Sequence, residues 1–255
     1  SFSGVPYTYD LLRKMNFKAL KVPSLRTMTQ AGGKMSNDTS TYFYNYAINT
    51  NKTFYIMYGQ TEATARISYL PFEYMHRKQG SIGVPVKGGS IELVDENNDK
   101  IREASIVGEI IYKGKNVSLG YAINRSDLEK GDENQGILHT GDLAYYDSDN
   151  FIFICGRKNR YVKFLGNRIN LDDLETLLNR KYFIETICLY KNGRFHIITN
   201  AIIAGDSMKK YISEVTGINK KYFVTDMISN IPRLSSGKID YNIIEKFINE
   251  ENMDL

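Results

Sequence analysis

Leu25-Arg26-Thr27-Met28-Thr29-Gln30-Ala31-Gly32-Gly33 and, further on, Phe54-Tyr55-Ile56-Met57-Tyr58-Gly59-Gln60-Thr61-Glu62 bound the stretch that decides the fold. Residues 25–30 read as a strand that ends at a glycine pair. Ser36 is placed to cap a helix running to about residue 48, with Phe43, Tyr44 and Ala47 along one apolar stripe. The apolar run 54–58 is a second strand, stopped by Gly59. Strand, glycine turn, helix and strand make a βαβ unit, which implies two parallel strands. Ligands in such sheets bind beyond the carboxyl ends of the strands. Gly32, Gly33 and the segment after Tyr58 all lie at that edge.

Outward from this unit the pattern changes twice. Upstream, residues 7–17 read as a short amphipathic helix with Leu11, Leu12 and Met15 on one side. Downstream, short apolar runs at 90–94, 108–112, 143–146 and 151–154 are separated by Gly, Asn and Asp turns, a spacing that suggests a small antiparallel β barrel or sandwich. After Gly156-Arg157-Lys158-Asn159, runs at 161–164 and 168–170 flank Leu165-Gly166-Asn167 as a hairpin. Helices are expected over 171–180, 207–215 and 241–249, with strands over 185–190 and 194–203. The predicted class is therefore α/β and β: a partial parallel βαβ layer at about 1–79, a small antiparallel β barrel at about 80–158, and a small α/β C-terminal domain at 159–255.

Composition sets the outer bounds. Of 255 residues, 42% are hydrophobic and 24% charged, which is ordinary for a globular chain. The net charge of +4 is spread along the chain, which argues against a nucleic-acid partner. Cys155 and Cys188 show no metal spacing and each sits in an apolar run, so they read as reduced, buried thiols of a cytoplasmic protein. His76, His139 and His196 are far apart, and no Gly-x-Ser-x-Gly elbow supports a hydrolase triad. The first residues lack signal-peptide features, and no apolar run approaches the ~20 residues needed to span a bilayer.

Four segments carry groups suited to chemistry. In Tyr58-Gly59-Gln60-Thr61-Glu62, Thr61 offers a hydroxyl and Glu62 a hard carboxylate oxygen, both suited to a magnesium-bound phosphate. Tyr58 offers a flat face for a base, and Gly59 lets backbone approach a ligand. A glycine turn before an acidic helix start is the structural alternative. His139-Thr140-Gly141-Asp142-Leu143 places a carboxylate at a tight turn entering a strand, where it can accept both hydroxyls of a ribose or simply close an Asx turn. Residues 156–175 set basic side chains around Gly166 ahead of an acidic, capped helix; on a plain surface such charges are only solvated. Lys238, on the small-residue loop Ser235-Ser236-Gly237-Lys238, can reach a phosphate or carboxylate as a point charge, or be a solvated loop lysine. Neither this loop nor residues 108–115 has Walker A spacing.

In their order and spacing these segments resemble the adenylate-forming superfamily of acyl-CoA synthetases, luciferases and peptide-synthetase adenylation domains. Ala31-Gly32-Gly33 is similar to the family's acyl and adenine pocket loop, and Tyr58 to Glu62 to its YGxTE motif. Gly108-Glu109-Ile110 through Gly120-Tyr121 looks like its GELxxxG…GY segment, Thr140-Gly141-Asp142 like TGD, residues 156–175 like GRxDxxVKxxGxRIxxxEIE, and Ser236-Gly237-Lys238-Ile239-Asp240 like the terminal NGKVDR. The resemblance implies that Tyr58 stacks on adenine with Gly59 beside it, Thr61 contacts phosphate, and Glu62 holds Mg2+. It implies that Asp142 binds the ribose with Arg157 nearby, and that Lys238 bridges carboxylate and α-phosphate. After adenylation the C-terminal domain would rotate to bring the Gly166 loop to the thioester-forming site. ATP and Mg2+, a carboxylic acid, and the thiol of CoA or of phosphopantetheine on an acyl- or peptidyl-carrier protein are the implied partners.

Two departures stand out. Asn159 replaces the usual hinge Asp, and the Ser/Thr/Gly-rich loop that grips ATP phosphates is not in the sequence. The resemblance places that loop upstream of residue 1, so the chain corresponds to about the last half of a family member and is expected to be inactive alone. A non-catalytic remnant or interaction module is the alternative, as is an unrelated basic α/β binding protein. Retention of Glu62, Asp142, Arg157 and Lys238 together favours the enzyme, because packing requires none of them.

Overall fold

The computed structural model describes residues 1–201, 205–234 and 239–251, which divide into two compact units, Ser1–Lys158 and Asn159–Leu255.

The first unit opens with β1 (Phe2–Gly4), α1 (Pro6–Lys14), β2 (Thr27–Gln30), α2 (Asn37–Asn49) and β3 (Thr53–Tyr58). Pro6 begins α1, where its missing N–H costs nothing, and the Ser36 hydroxyl caps α2 by accepting from Thr39 N at 3.2 Å. β1, β2 and β3 pair in parallel, so two consecutive βαβ units build the sheet. Two short antiparallel strands, β4 (Ser68–Leu70) and β5 (Val84–Pro85), extend it in the order β1-β2-β3-β4-β5.

The core beneath this sheet is aromatic. Tyr9, Phe43, Phe54 and Met28 are fully buried, and the Tyr9 ring stands edge-on to Phe43 at 4.8 Å. Its hydroxyl donates to Thr29 O at 2.8 Å, which satisfies the polar end. The helical stripe differs from the one expected: Tyr9 and Leu12 face the core, whereas Leu11 and Met15 are exposed. The helix stops at Lys14, so Met15 is its C-cap and leaves the packing ridge.

The second half of this unit is β6 (Ser90–Val94), β7 (Lys100–Ile101), β8 (Gly108–Lys113), β9 (Ile137–Tyr146) and β10 (Ile152–Arg157). These form an antiparallel sheet in the order β10-β9-β8-β6-β7. The small barrel expected at 80–158 is instead this open sheet. β7 is only two residues long, and the outer edge of β10 is taken by Ile82 N donating to Ile152 O at 2.9 Å, so β7 and β10 do not meet. Lys78 fastens the same junction through Asp147 at 2.7 Å and through Asp149.

The second unit comprises β11 (Tyr161–Phe164), β12 (Asn167–Asn170), α3 (Leu171–Tyr182), β13 (Thr186–Lys191), β14 (Arg194–Thr199), α4 (Gly205–Thr216), β15 (Phe223–Met227) and α5 (Tyr241–Glu251). β11 and β12 are a hairpin turned by Leu165 and Gly166, both at positive φ. β13, β14 and β15 form a three-stranded sheet whose β14–β15 pair is parallel, with α4 as the crossover. Leu174, Leu178, Phe195, Ile197, Met208 and Ile212 pack together as one cluster, and Ile187, Leu189, Ile198, Ile244 and Ile248 as another. Cys155 is half-buried, its thiol donating to Leu143 O at 3.2 Å, and Cys188 is buried.

Candidate functional site

The site is built by irregularities in β9. Glu109 pairs with Leu143 and Ile111 with His139, so Ile110 alone stands opposite Thr140, Gly141 and Asp142. On the other side, Ile154 pairs with Ala144 and Gly156 with Leu143, leaving Cys155 as the extra residue. Such bulges kink a strand and redirect its side chains. Gly141 supplies the left-handed φ of 67° that the kink needs. Thr140 fixes it, its hydroxyl donating to Ile110 O at 2.9 Å and accepting from Asp142 N at 3.1 Å. Asp142 therefore lies inside a bulged strand rather than at a turn before one.

The kink aims the Asp142 carboxylate, only 4% exposed, at the carboxyl end of β3. Tyr58 donates its hydroxyl to Oδ2 at 2.5 Å, and Gln60 donates Nε2 to the same oxygen at 2.9 Å and to Thr140 O at 2.8 Å. Arg157 Nε lies 2.7 Å from Oδ1. A buried carboxylate is tolerable only with such partners. The Tyr58 phenol is pushed well above its ordinary value, first by burial and then by the adjacent Asp142 charge.

Beyond Gly59 the chain makes a 3-10 turn, Thr61–Ala63, rather than the start of an α-helix. Thr61 is exposed. The Glu62 carboxylate accepts from the Tyr121 hydroxyl at 2.5 Å, and its main-chain oxygen from Ser118 N at 2.7 Å. That bond raises the Tyr121 phenol above its ordinary range. Gly59 serves packing: a Cβ there would sit 2.4 Å from Ala65 O. Gly32 (φ 86°) and Gly33 follow β2 at the same sheet edge, and Gln30 Nε2 holds Gly33 O at 2.8 Å.

Tyr58, Asp142 and Arg157 thus meet in one hydrogen-bonded cluster, with Thr61 and Glu62 on the segment that leaves it. Gly166 belongs to the hairpin of the second unit, and Lys238 lies outside the described residues. Sequence reasoning missed Gln60, Glu109 and Tyr121. All three lie inside segments already singled out, but their partners are distant in sequence.

Residues 1–122 match the model of the AMP-binding enzyme family. The chain is 31% identical over 169 residues to 2-succinylbenzoate–CoA ligase of Bacillus cytotoxicus, an alignment covering 66% of this chain and 34% of that enzyme. It is 29% identical over 211 residues to oxalate–CoA ligase of Arabidopsis thaliana, covering 76% of this chain and 39% of the relative. Among solved structures, O-succinylbenzoate coenzyme A synthetase from Bacillus subtilis in complex with ATP and magnesium ion superposes with a TM-score of 0.70 at 21% identity, over 96% of this chain and 51% of that one. The chain thus spans between a third and about half the length of the proteins it matches. Residues 1–122 thus match the AMP-binding enzyme family, the sequence relatives named here are acyl-CoA ligases, and the parallel layer and antiparallel sheet share the fold of the adenylate-forming enzyme on which the chain superposes.

Proposed function

We propose that the chain supplies the nucleoside-binding half and the small second domain of an enzyme that activates a carboxylic acid with ATP as an acyl-adenylate, then passes the acyl group to a thiol. The buried, fully partnered Asp142 carboxylate at the β9 kink carries this reading. A ribose presents two hydroxyl donors. These would exchange for the bonds that Tyr58, Gln60 and Arg157 now make to Asp142, a near-balanced replacement inside a low-dielectric site. Released from that bond, the Tyr58 ring stays at the strand end to cover the base.

In the first step a carboxylate oxygen attacks the α-phosphorus and the bond to pyrophosphate breaks. In the second a thiol attacks the acyl carbon and AMP leaves with the bond electrons. The first step needs charge neutralisation and alignment more than a base; in the second the thiol reacts as its thiolate, the proton passing to solvent. Lys238 is the proposed cation that bridges carboxylate and α-phosphate. Glu62, beside Thr61, fits a magnesium ion held mainly through substrate phosphates, since the described residues contain no group of three or more side chains able to cage a metal. When bound, that ion would neutralise charge on the phosphates.

The relatives named above are CoA ligases, which favours CoA as the acceptor; a carrier-bound phosphopantetheine presents the same thiol. The Gly166 hairpin of the second unit is proposed to serve that step. Because the 255 residues contain no Ser/Thr/Gly-rich phosphate loop, this chain by itself is proposed to bind the nucleoside without adenylating. Calorimetric titration with AMP tests the reading: Asp142→Ala should weaken binding at least about tenfold, or ~1.4 kcal/mol. Equal affinity of the two proteins would overturn the assignment.

A further inference from the structure

Gly108-Glu109-Ile110 is a motif for which the proposed chemistry has no use, yet Glu109 is one of the few charged side chains buried in the first unit, at 6% exposure. Its two oxygens face different tasks. Oε1 accepts from Gly141 N at 3.2 Å, inside the kink that presents Asp142. Oε2 lies 2.7 Å from Lys158 Nζ. His139, largely exposed, approaches Oε1 at 3.9 Å and adds a cation only when protonated.

Lys158 is the last residue of the first unit. The neighbouring cations at the end of β10 are therefore each tied to a buried carboxylate, Arg157 to Asp142 and Lys158 to Glu109. On the far side of exposed Asn159, Arg160 is buried within the second unit on Asp172 (2.7 Å), Glu175 and the carbonyl of Cys188 (2.8 Å). Both neighbours of Asn159 are thus anchored, each to its own unit.

We infer that Glu109 is a positioning residue that joins the Asp142-presenting turn to Lys158, the point where the chain leaves the first unit. The inference rests on the proposed ribose role of Asp142 for its binding consequence, and on geometry alone for its effect at the exit.

Two readouts on the 255-residue chain separate these parts. The first is AMP affinity. Glu109→Ala removes the acceptor for Gly141 and should weaken AMP about fivefold or more, whereas Glu109→Gln keeps an acceptor and should recover most of that loss. The second is hydrogen exchange. Glu109→Gln and Lys158→Met should each speed exchange at residues 158–160 about tenfold, the double variant no more than either alone, with residues 110–112 of β8 unchanged. Lys158 is half-exposed, so its variant tests the exit even if Glu109 variants fold poorly.

Unchanged exchange at the exit, or an equal rise across β8, would overturn the inference. Failure of glutamine to rescue AMP binding would overturn its turn-holding part. If Asp142→Ala leaves AMP affinity unaltered, the ribose assignment fails by itself, and the exchange result alone decides whether Glu109 sets the exit.

Discussion

Two carboxylates of the first unit, Asp142 and Glu62, are held in opposite ways. Asp142 is buried in a bulged strand and partnered by a phenol, an amide and a guanidinium from β3, its following turn and β10. Glu62 sits on a 3-10 turn and accepts from Tyr121, whose side chain is 70% exposed on a loop. A group locked among buried partners cannot move without breaking their bonds, while one held from an exposed loop can swing at lower cost. The difference fits a ribose of fixed shape at one end and phosphates that change during the reaction at the other.

Breaking the locked end should have the largest effect. Asp142→Ala leaves the Tyr58 hydroxyl without its carboxylate acceptor and takes one of two acceptors from the half-buried Gln60 amide, and should cost about 1–3 kcal/mol of stability as read from the urea midpoint. Thr140→Val removes both hydroxyl bonds that hold the kink. It should cost about 1–2 kcal/mol and weaken AMP together with stability, because Asp142 loses its aim. Tyr58→Phe should cost only about 0.5–1.5 kcal/mol, and should leave AMP binding equal or tighter, since a competitor for the carboxylate is gone.

The tethered end should barely register in stability. Tyr121→Phe is expected to change it by less than about 0.5 kcal/mol. Its effect should appear instead in the magnesium dependence of ATP binding, with AMP binding untouched. A loss of AMP affinity in that variant would erase the contrast between the two ends.

Alkaline titration extends the comparison to the two units. Buried phenols resist ionisation: Tyr9 and Tyr58 in the first unit are raised strongly, and Tyr241 in the second is pushed up to about 12 by burial and the nearby Glu175 charge. In the unfolded chain each phenol loses its proton near pH ~10. Above that the unfolded state binds fewer protons than the native one, so stability falls as pH rises. The loss linked to Tyr241 should level off near pH 12, while that of the first unit continues. Tyr9→Phe should flatten the first unit's decline, which circular dichroism between pH 9 and 12 would follow.

The βαβ layer was legible because Ser36, the glycine pair and the apolar run ending at Tyr58 are strong local signals. β1, β4, β5, β7 and β15 were not, because strands of two to five residues show too little alternation to recognise. β15 in particular mixes Phe223, Val224 and Thr225 with Asp226, which reads as loop until its parallel pairing with β14 is seen. The expected barrel failed for a reason outside its own residues, since Ile82 occupies the edge that closure would need. Tyr58, Asp142 and Arg157 could be named in advance from motif spacing. Their contact depends on a strand kink that no one-dimensional pattern encodes, and so do the roles of Gln60 and Glu109.

The most direct measurement is a calorimetric cycle with AMP and 2′,3′-dideoxy-AMP, each titrated into the unaltered chain and into Asp142→Asn. The expected result is that removing the ribose hydroxyls weakens binding about tenfold in the unaltered chain and by less than about twofold in the variant. An equal loss in both proteins would show that Asp142 does not bind the ribose and would contradict the proposed site.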